Sequence, residues 1–248
     1  MTLSREVYKN APITEAALDV RVRTAVDIDV ESLSVGQDPL YPDLFRKPIK
    51  MEVRVEASSD TLAASAAAAN TPLGFAFRSE DQKQIYQIRT DGFTHNRLAP
   101  YLEWDVFVAE ARRLWLIYKS VVKPEAIELI GLNYLNELFI PGGVSLDDYF
   151  RTYIEVPPEL PQTLNVFSLG YQLTIPDGGG FLHVAQSYGP PKKPSFVTVH
   201  LNIQAFRQVD ITGDTTEDVL WPMFEALREA KSMAFEACIT DKVREMIR

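Results

Sequence analysis

Three histidines, one cysteine and a few clustered acids are the residues of this chain best suited to chemistry, and their spacing restricts what they can do. His95, His183 and His200 form no HExxH pair and have no second histidine at ligand spacing. Zinc takes four nitrogen, sulfur or oxygen ligands. With a single cysteine, such a site would have to gather two or three of these histidines with carboxylates from distant segments. His183 and His200 fall on neighbouring expected strands and could meet across a hairpin. Cys238 lies between Phe235 and Ile239 in an apolar helix pattern. A thiolate nucleophile needs an electropositive, accessible niche, so a packed thiol is expected there.

No GxSxG elbow, GxxxxGK[ST] loop or GxGxxG turn occurs. Gly178-Gly179-Gly180 follows one expected strand and precedes another, so no helix N-terminus is offered to a phosphate. Asp27 with Asp29, and Asp147 with Asp148, are paired acids at strand ends or helix starts, where acids are favoured without any catalytic role. Asn96-Arg97 beside Tyr101 and Trp104 is the densest polar cluster. Arg97 could pair with Glu103, stack on Trp104 or clamp an anion, or it could anchor a strand to the helix that follows. Asn133 and Asn136 point to opposite faces of one strand, and any buried amide there needs a partner. No catalytic set, metal or cofactor is expected from these residues.

The elements that must position them can be read from hydrophobic period. From Ile13 to Asp29, Leu18, Val20 and Val22 alternate with Ala17, Asp19, Arg21 and Arg23, a period of two that marks a half-buried strand. A short helical turn is expected at Asp43–Arg46, a second strand at Ile49–Val55, and an Ala-rich excursion at 57–70. Strands follow at 73–79, 83–90 and 92–97, with Asp91-Gly92 as a hairpin signal. Glu103–Val122 repeats Phe107, Ala111, Leu114, Ile117, Tyr118 and Val121 at helical spacing, and Pro124 ends it.

The second half opens with a strand over 127–140. Ser145-Leu146-Asp147-Asp148 reads as a capped helix start carrying Tyr149 and Phe150. Pro157, Pro158 and Pro161 mark a linker. Strands are expected at 164–176, 180–188 and 195–207, then a helix over 217–248 broken near Ile239-Thr240-Asp241.

Both halves thus read strand, short helix, antiparallel strands, long helix, and their residues echo one another. Asp43-Leu44-Phe45-Arg46 returns as Asp148-Tyr149-Phe150-Arg151, and Glu103-Trp104-Asp105-Val106-Phe107 as Leu220-Trp221-Pro222-Met223-Phe224. The expectation is an α+β fold of two similar units, 1–124 and 125–248, sharing one sheet. A duplicated helix-grip or TATA-binding-protein-like arrangement would have this outline.

The chain of 248 residues carries a net charge of −9, which disfavours a phosphate-backbone partner and leaves room for a basic protein. Lys192-Lys193 is too small a basic patch to reverse that. No run approaches the roughly 18 to 20 apolar residues of a membrane helix. The first twelve residues show no apolar leader, and the lone cysteine suits a reducing compartment, so a cytoplasmic home is expected.

Three motifs carry a family resemblance. Tyr8-Lys9-Asn10-Ala11-Pro12-Ile13-Thr14-Glu15-Ala16 resembles the N-terminal signature of the sporadically distributed bacterial family of uncharacterised proteins. Asn96-Arg97 with Tyr101, Trp104 and Phe107 resembles its central block, and Leu132-Asn133-Tyr134-Leu135-Asn136 its strand motif, with Asn133 in place of the usual arginine. The resemblance spans nearly the whole chain. It implies a bacterial or phage origin and patchy inheritance, the distribution common among defence and toxin–antitoxin genes.

The expected function is a non-enzymatic protein-binding module, such as an antitoxin, immunity or defence accessory protein, with a protein partner of basic character. Tyr41, Phe45, Tyr149 and Phe150 are its candidate interface aromatics, because aromatics dominate interface energetics. The alternative is a small-molecule binder or enzyme with a cavity between sheet and long helix, lined by Arg97, His183 and His200.

Overall fold

A computed structural model describes residues 8–45, 73–213 and 216–248, the side chains of 44, 45 and 216 excepted. The strand expected at Ile49–Val55 and the Ala-rich excursion at 57–70 lie outside the described residues.

The first half runs β1 (Ile13–Arg23), a 3-10 turn (Val30–Gly36), β2 (Asp43–Phe45), β3 (Gly74–Arg78), β4 (Gln84–Arg89), β5 (Gly92–Leu98) and α1 (Trp104–Val122). The second runs β6 (Ala126–Pro141), a 3-10 turn (Leu146–Asp148), β7 (Ser168–Ile175), β8 (Gly180–Tyr188), β9 (Phe196–Thr212), α2 (Thr216–Cys238) and α3 (Asp241–Ile247). The class is α+β. The described strands form one antiparallel sheet in the order β2-β3-β4-β5-β1-β6-β9-β8-β7. In each half the first strand lies beside the last strand of its own meander, β1 by β5 and β6 by β9.

Two expectations are corrected. Asp43–Phe45 is a strand rather than a helical turn, paired with β3 through Asp43↔Arg78 and Phe45↔Ala76. Backbone pairing on a ready sheet outweighs the weak helical preference of three residues. Ser145 makes no side-chain cap, and Leu146–Asp148 is a single 3-10 turn rather than a helix. There the Tyr149 and Phe150 amides both bond the Leu146 carbonyl, at 3.0 and 2.8 Å. Phe150 then bridges to Ile239, and this tertiary pairing stops helical propagation.

Packing divides the chain into two compact units. One holds Asp19–Arg97 and Leu102–Glu128; the other holds the chain up to Leu18, Leu98–Tyr101 and Leu129–Arg248. The division is not a single cut after residue 124, because β1 and β6 each run from one unit into the other.

In the α1 unit, β3, β4 and β5 turn Phe77, Tyr86 and Phe93 toward Trp115 and Tyr118 of α1. All five rings are buried, with successive centroids 5.3–5.8 Å apart. The helix ends where Lys123 adopts φ +51° and its amide bonds the Lys119 carbonyl at 3.0 Å, one residue before Pro124. Gly92 is required at the start of β5: a Cβ there would lie 2.4 Å from the Val20 carbonyl oxygen.

In the other unit, Val199, Leu201 and Ile203 of β9 pack with Leu138, Ile140, Phe150, Ile239, Val243 and Ile247. Asn136, buried in β6, donates to the Leu201 carbonyl at 2.9 Å, the backbone partner a buried amide needs. Asp177 and Gly178, at φ +58° and +71°, form the tight turn between β7 and β8. Among the described residues no helix is long and apolar enough to cross a membrane.

Candidate functional site

The α1 unit carries a groove of about 640 Å³ where the first turns of α1 meet β4 and β5. Gln84 and Arg97 come from the strands. Leu102 and Glu103 come from the connection, and Asp105, Val106, Glu110 and Arg113 from the helix. Local sequence explains this arrangement. Glu103 is extended and its carbonyl accepts the Phe107 amide at 3.1 Å, so helix begins at Trp104. Helical period then sends Trp104 and Phe107 into the core. Leu102 and Val106 stay outside, 55% and 54% exposed. Both line the same groove, so their exposed apolar surface is gathered in one concavity rather than scattered. Glu103 and Asp105 stand next to them and make no ion pair among the described residues.

Behind the groove lies a polar network. Asp38 opens a tight turn, its carboxylate accepting the Leu40 amide at 2.9 Å and its carbonyl the Tyr41 amide at 2.9 Å. That turn aims Tyr41 inward, where its hydroxyl donates to Glu110 at 2.9 Å. Arg113 donates to Glu110 at 2.8 and 2.9 Å and to Asp38 at 2.5 Å. Burial pushes the Asp38 and Glu110 carboxyls up. Hydrogen bonds from Arg113, with the Leu40 amide for Asp38 and the Tyr41 hydroxyl for Glu110, outweigh it, so both lie below the ordinary range. Arg113 is raised by its bonds to Glu110 and Asp38.

His95 sits deeper still, fully buried, with Phe107 edge-on at 5.0 Å. Neither ring nitrogen has a hydrogen-bond partner. Burial lowers its pKa to about 4; the charges acting on it are those of Glu110, Arg113 and Arg97. The imidazole is therefore neutral near pH 7.

The residues singled out from sequence are placed as follows. Arg97 belongs to the groove, where its guanidinium reaches within 4.0 Å of Asp81 rather than Glu103. His183 and His200 belong to the other unit and do not meet. On the β8–β9 pair His183 faces Gln204 and His200 faces Ser187. That separates them by four positions, about 13 Å along a strand. His200 stands 3.4 Å from Glu137, which also takes Lys192 at 2.5 Å. Burial would raise the Glu137 carboxyl, but Lys192 and His200 hold it lower. Arg97, His183 and His200 therefore line no common cavity within either unit.

Tyr41 and Phe150 are fully buried and Tyr149 nearly so. Their rings are committed to the fold, which removes them as surface anchors. Phe45 closes β2, and its side chain lies outside the described set. Cys238 is buried, its thiol pushed up by burial, with the Tyr171 hydroxyl 3.7 Å away. Asp29 caps the first 3-10 turn through the Glu31 amide, and Asp148 pairs with Lys242 at 2.8 Å. Among the described residues no three His, Cys, Asp or Glu side chains gather at metal-holding distance.

Sequence reasoning missed the groove and the network behind it. The Glu110–Arg113 pair, three apart on a helix, was visible. Asp38 and Tyr41 were not, because the contact spans 75 and 69 residues. No family model, curated protein or solved structure matches the chain.

Proposed function

We propose that this is a protein-binding module that docks a segment of a partner protein along the groove at the start of α1. The observation that carries the reading is the pair Leu102 and Val106, each more than half exposed and flanked by the unpaired carboxylates of Glu103 and Asp105. An apolar anchor with one or two Lys or Arg residues beside it is the chemistry this surface complements. Apolar anchors in a desolvated pocket supply binding free energy; complementary charge supplies encounter rate and register. The excess of negative charge over the whole chain acts in the same sense. The rigid network of Asp38, Arg113, Glu110 and Tyr41 holds the groove wall in place before a partner arrives, which lowers the ordering cost of docking.

The motif resemblance to a patchily inherited bacterial family is in keeping with an antitoxin, immunity or defence accessory role in a cytoplasmic setting. The common element order of the two halves supports an internal duplication of the TATA-binding-protein or helix-grip kind.

Selection of a random peptide library on the immobilised chain tests the docking reading. Enriched peptides should carry an aliphatic or aromatic anchor flanked by Lys or Arg. Their affinity should fall at least tenfold against a Leu102→Asp, Val106→Asp variant, and raised salt should weaken them. No enrichment, or peptides indifferent to that variant, sinks the reading.

A second reading is favoured by His95. Its two nitrogens are unpartnered and it lies behind the groove wall without lining it, so this reading requires a small anionic ligand that opens a path from the groove and draws a proton onto the ring. A thermal-shift screen of small anions supports it if one raises the melting temperature by several degrees and the effect is absent in His95→Phe.

A further inference from the structure

β7 is the last strand of the sheet, and its free side is built unlike a protected edge. It pairs with β8 along its whole length, from Ser168↔Ser187 to Ile175↔Gly180, with no bulge in the register. On the other side no described residue makes a backbone hydrogen bond to Ser168–Ile175. Every second residue of an edge strand turns its amide and carbonyl outward. Proteins usually guard such a row with Lys, Pro or a bulge. The sequence Ser-Leu-Gly-Tyr-Gln-Leu-Thr-Ile contains none of these and no charge at all. Leu173 is 50% exposed, and Val166 just before the strand is 79% exposed.

We infer that the free side of β7 pairs with β7 of a second copy of this chain, antiparallel and about a twofold axis at Tyr171. Three observations select that occupant. First, residues opposite each other in an antiparallel pair must share a face, so the axis passes through a residue rather than between two. Centring on Tyr171 sets Leu169 against Leu173, Gly170 against Gln172 and Ser168 against Thr174. Leu169 and Tyr171 already pack on the core, so the apolar row continues across the axis and the polar row stays wet. Centring on Gln172 would bring Pro176, which has no amide hydrogen, against Ser168.

Second, a chain of net charge −9 repels its own copy, and the uncharged eight residues of β7 are a place where two copies approach without opposing like charges. Third, a twofold pairing occupies the β7 edge of both copies. The assembly therefore closes as a dimer rather than growing into a fibre. One strand pair buries less than a standard interface, so the dimer is weak, with dissociation in the range of about 10–100 μM.

Sedimentation velocity of the full chain from about 1 to 300 μM tests this. The wild type should pass from monomer to dimer. Gly170→Lys with Gln172→Lys places lysines directly opposite one another on the exposed face. A Cβ at Gly170 meets only ordinary contacts, His183 Nε2 at 3.6 Å and a Val184 carbonyl at 4.0 Å, so the fold accepts it. Dimerisation of this variant should weaken at least tenfold. Mixing it with Gly170→Glu, Gln172→Glu should restore the dimer, a rescue that β7–β7 contact predicts and a general loss of folding does not. In the wild type, hydrogen exchange of the outward β7 amides should slow as concentration rises, a readout that needs no variant. A chain that stays monomeric throughout, or a lysine variant that dimerises like the wild type, overturns the inference.

Discussion

The unit built on α1 and the unit built on α2 and α3 each set helix against antiparallel strands but fill their cores differently. Beneath α1, aromatic rings occupy the space, and Tyr86, Tyr118, Trp115 and His95 each bring a polar atom inside. Asp38, Glu110 and Arg113 close over one end of that stack. In the other unit the interior is mainly branched aliphatic, from Val199, Leu201 and Ile203 to Ile239, Val243 and Ile247. Aliphatic packing is insensitive to pH and to ligands. An aromatic core with polar handles is not, because each buried nitrogen or hydroxyl changes free energy with its partner or its proton. In the α1 unit the pH-sensitive groups gather around one aromatic stack, whereas in the other unit the buried cation Lys231 is not part of the aliphatic cluster.

The largest test is truncation on both sides. Trp115→Ala should cost about 3–5 kcal/mol and Ile203→Ala about 2–5 kcal/mol in urea unfolding, since the larger ring leaves the larger cavity. An Ile203 variant that loses clearly more than the Trp115 variant would break the contrast between the two cores.

Next comes pH. The His95 pKa is about 4 in the folded chain and about 6.5 when unfolded. Between those values the unfolded state binds the extra proton, so stability is lost as pH falls from 6.5 toward 4, by up to about 3 kcal/mol. Asp38 and Glu110 add their losses lower, as pH falls below the ordinary carboxylate range toward their depressed values. The upper part of the window therefore isolates the imidazole. Stability against pH should flatten there in His95→Phe; an unchanged slope would remove His95 from the explanation.

Third, Arg113→Leu strands two carboxylates and should cost about 2 kcal/mol, below the range for a fully buried pair. The guanidinium is 37% exposed, and water screens part of its loss. Removing Asp38 as well, in Asp38→Asn with Arg113→Leu, should recover part of that loss in a double-mutant cycle.

The smallest effect is expected in the α2 unit. Lys231 of α2 lies 3.9 Å over the Tyr134 ring, and burial lowers its pKa to about 8. Below pH 8 it is held charged at a cost that eases as pH rises toward the unfolded value of 10.5. Lys231→Met should raise stability near neutral pH by about 0.5 kcal/mol, the lost ring contact offsetting part of the gain.

Much of the element order was legible because it rests on local signals. Leu18, Val20 and Val22 alternate into β1, Asp91-Gly92 turns β4 into β5, and Ile239-Thr240-Asp241 separates α2 from α3. Where local preference was weak, pairing decided: three residues at Asp43 joined β3 as a strand, and Phe150 met Ile239 instead of continuing a helix. The candidate site was less legible. Tyr41, Tyr149 and Phe150 carry the composition of interface anchors, but an aromatic side chain looks the same in sequence whether it faces water or the core. Leu102 and Val106 went unnoticed because a helix start can place either face outward.

Local signals were enough for the long strands and helices, their order and the excess of negative charge, but not for the short elements at Asp43–Phe45 and Leu146–Asp148. Which side chains are exposed, and which polar groups meet, came from long-range packing. Asp38 reaches Arg113 across 75 residues, and His95 loses its water to Phe107 and the rings around it. The physical reason is that hydrophobic period encodes a face, whereas exposure and electrostatic partnership depend on what the rest of the chain lays against that face.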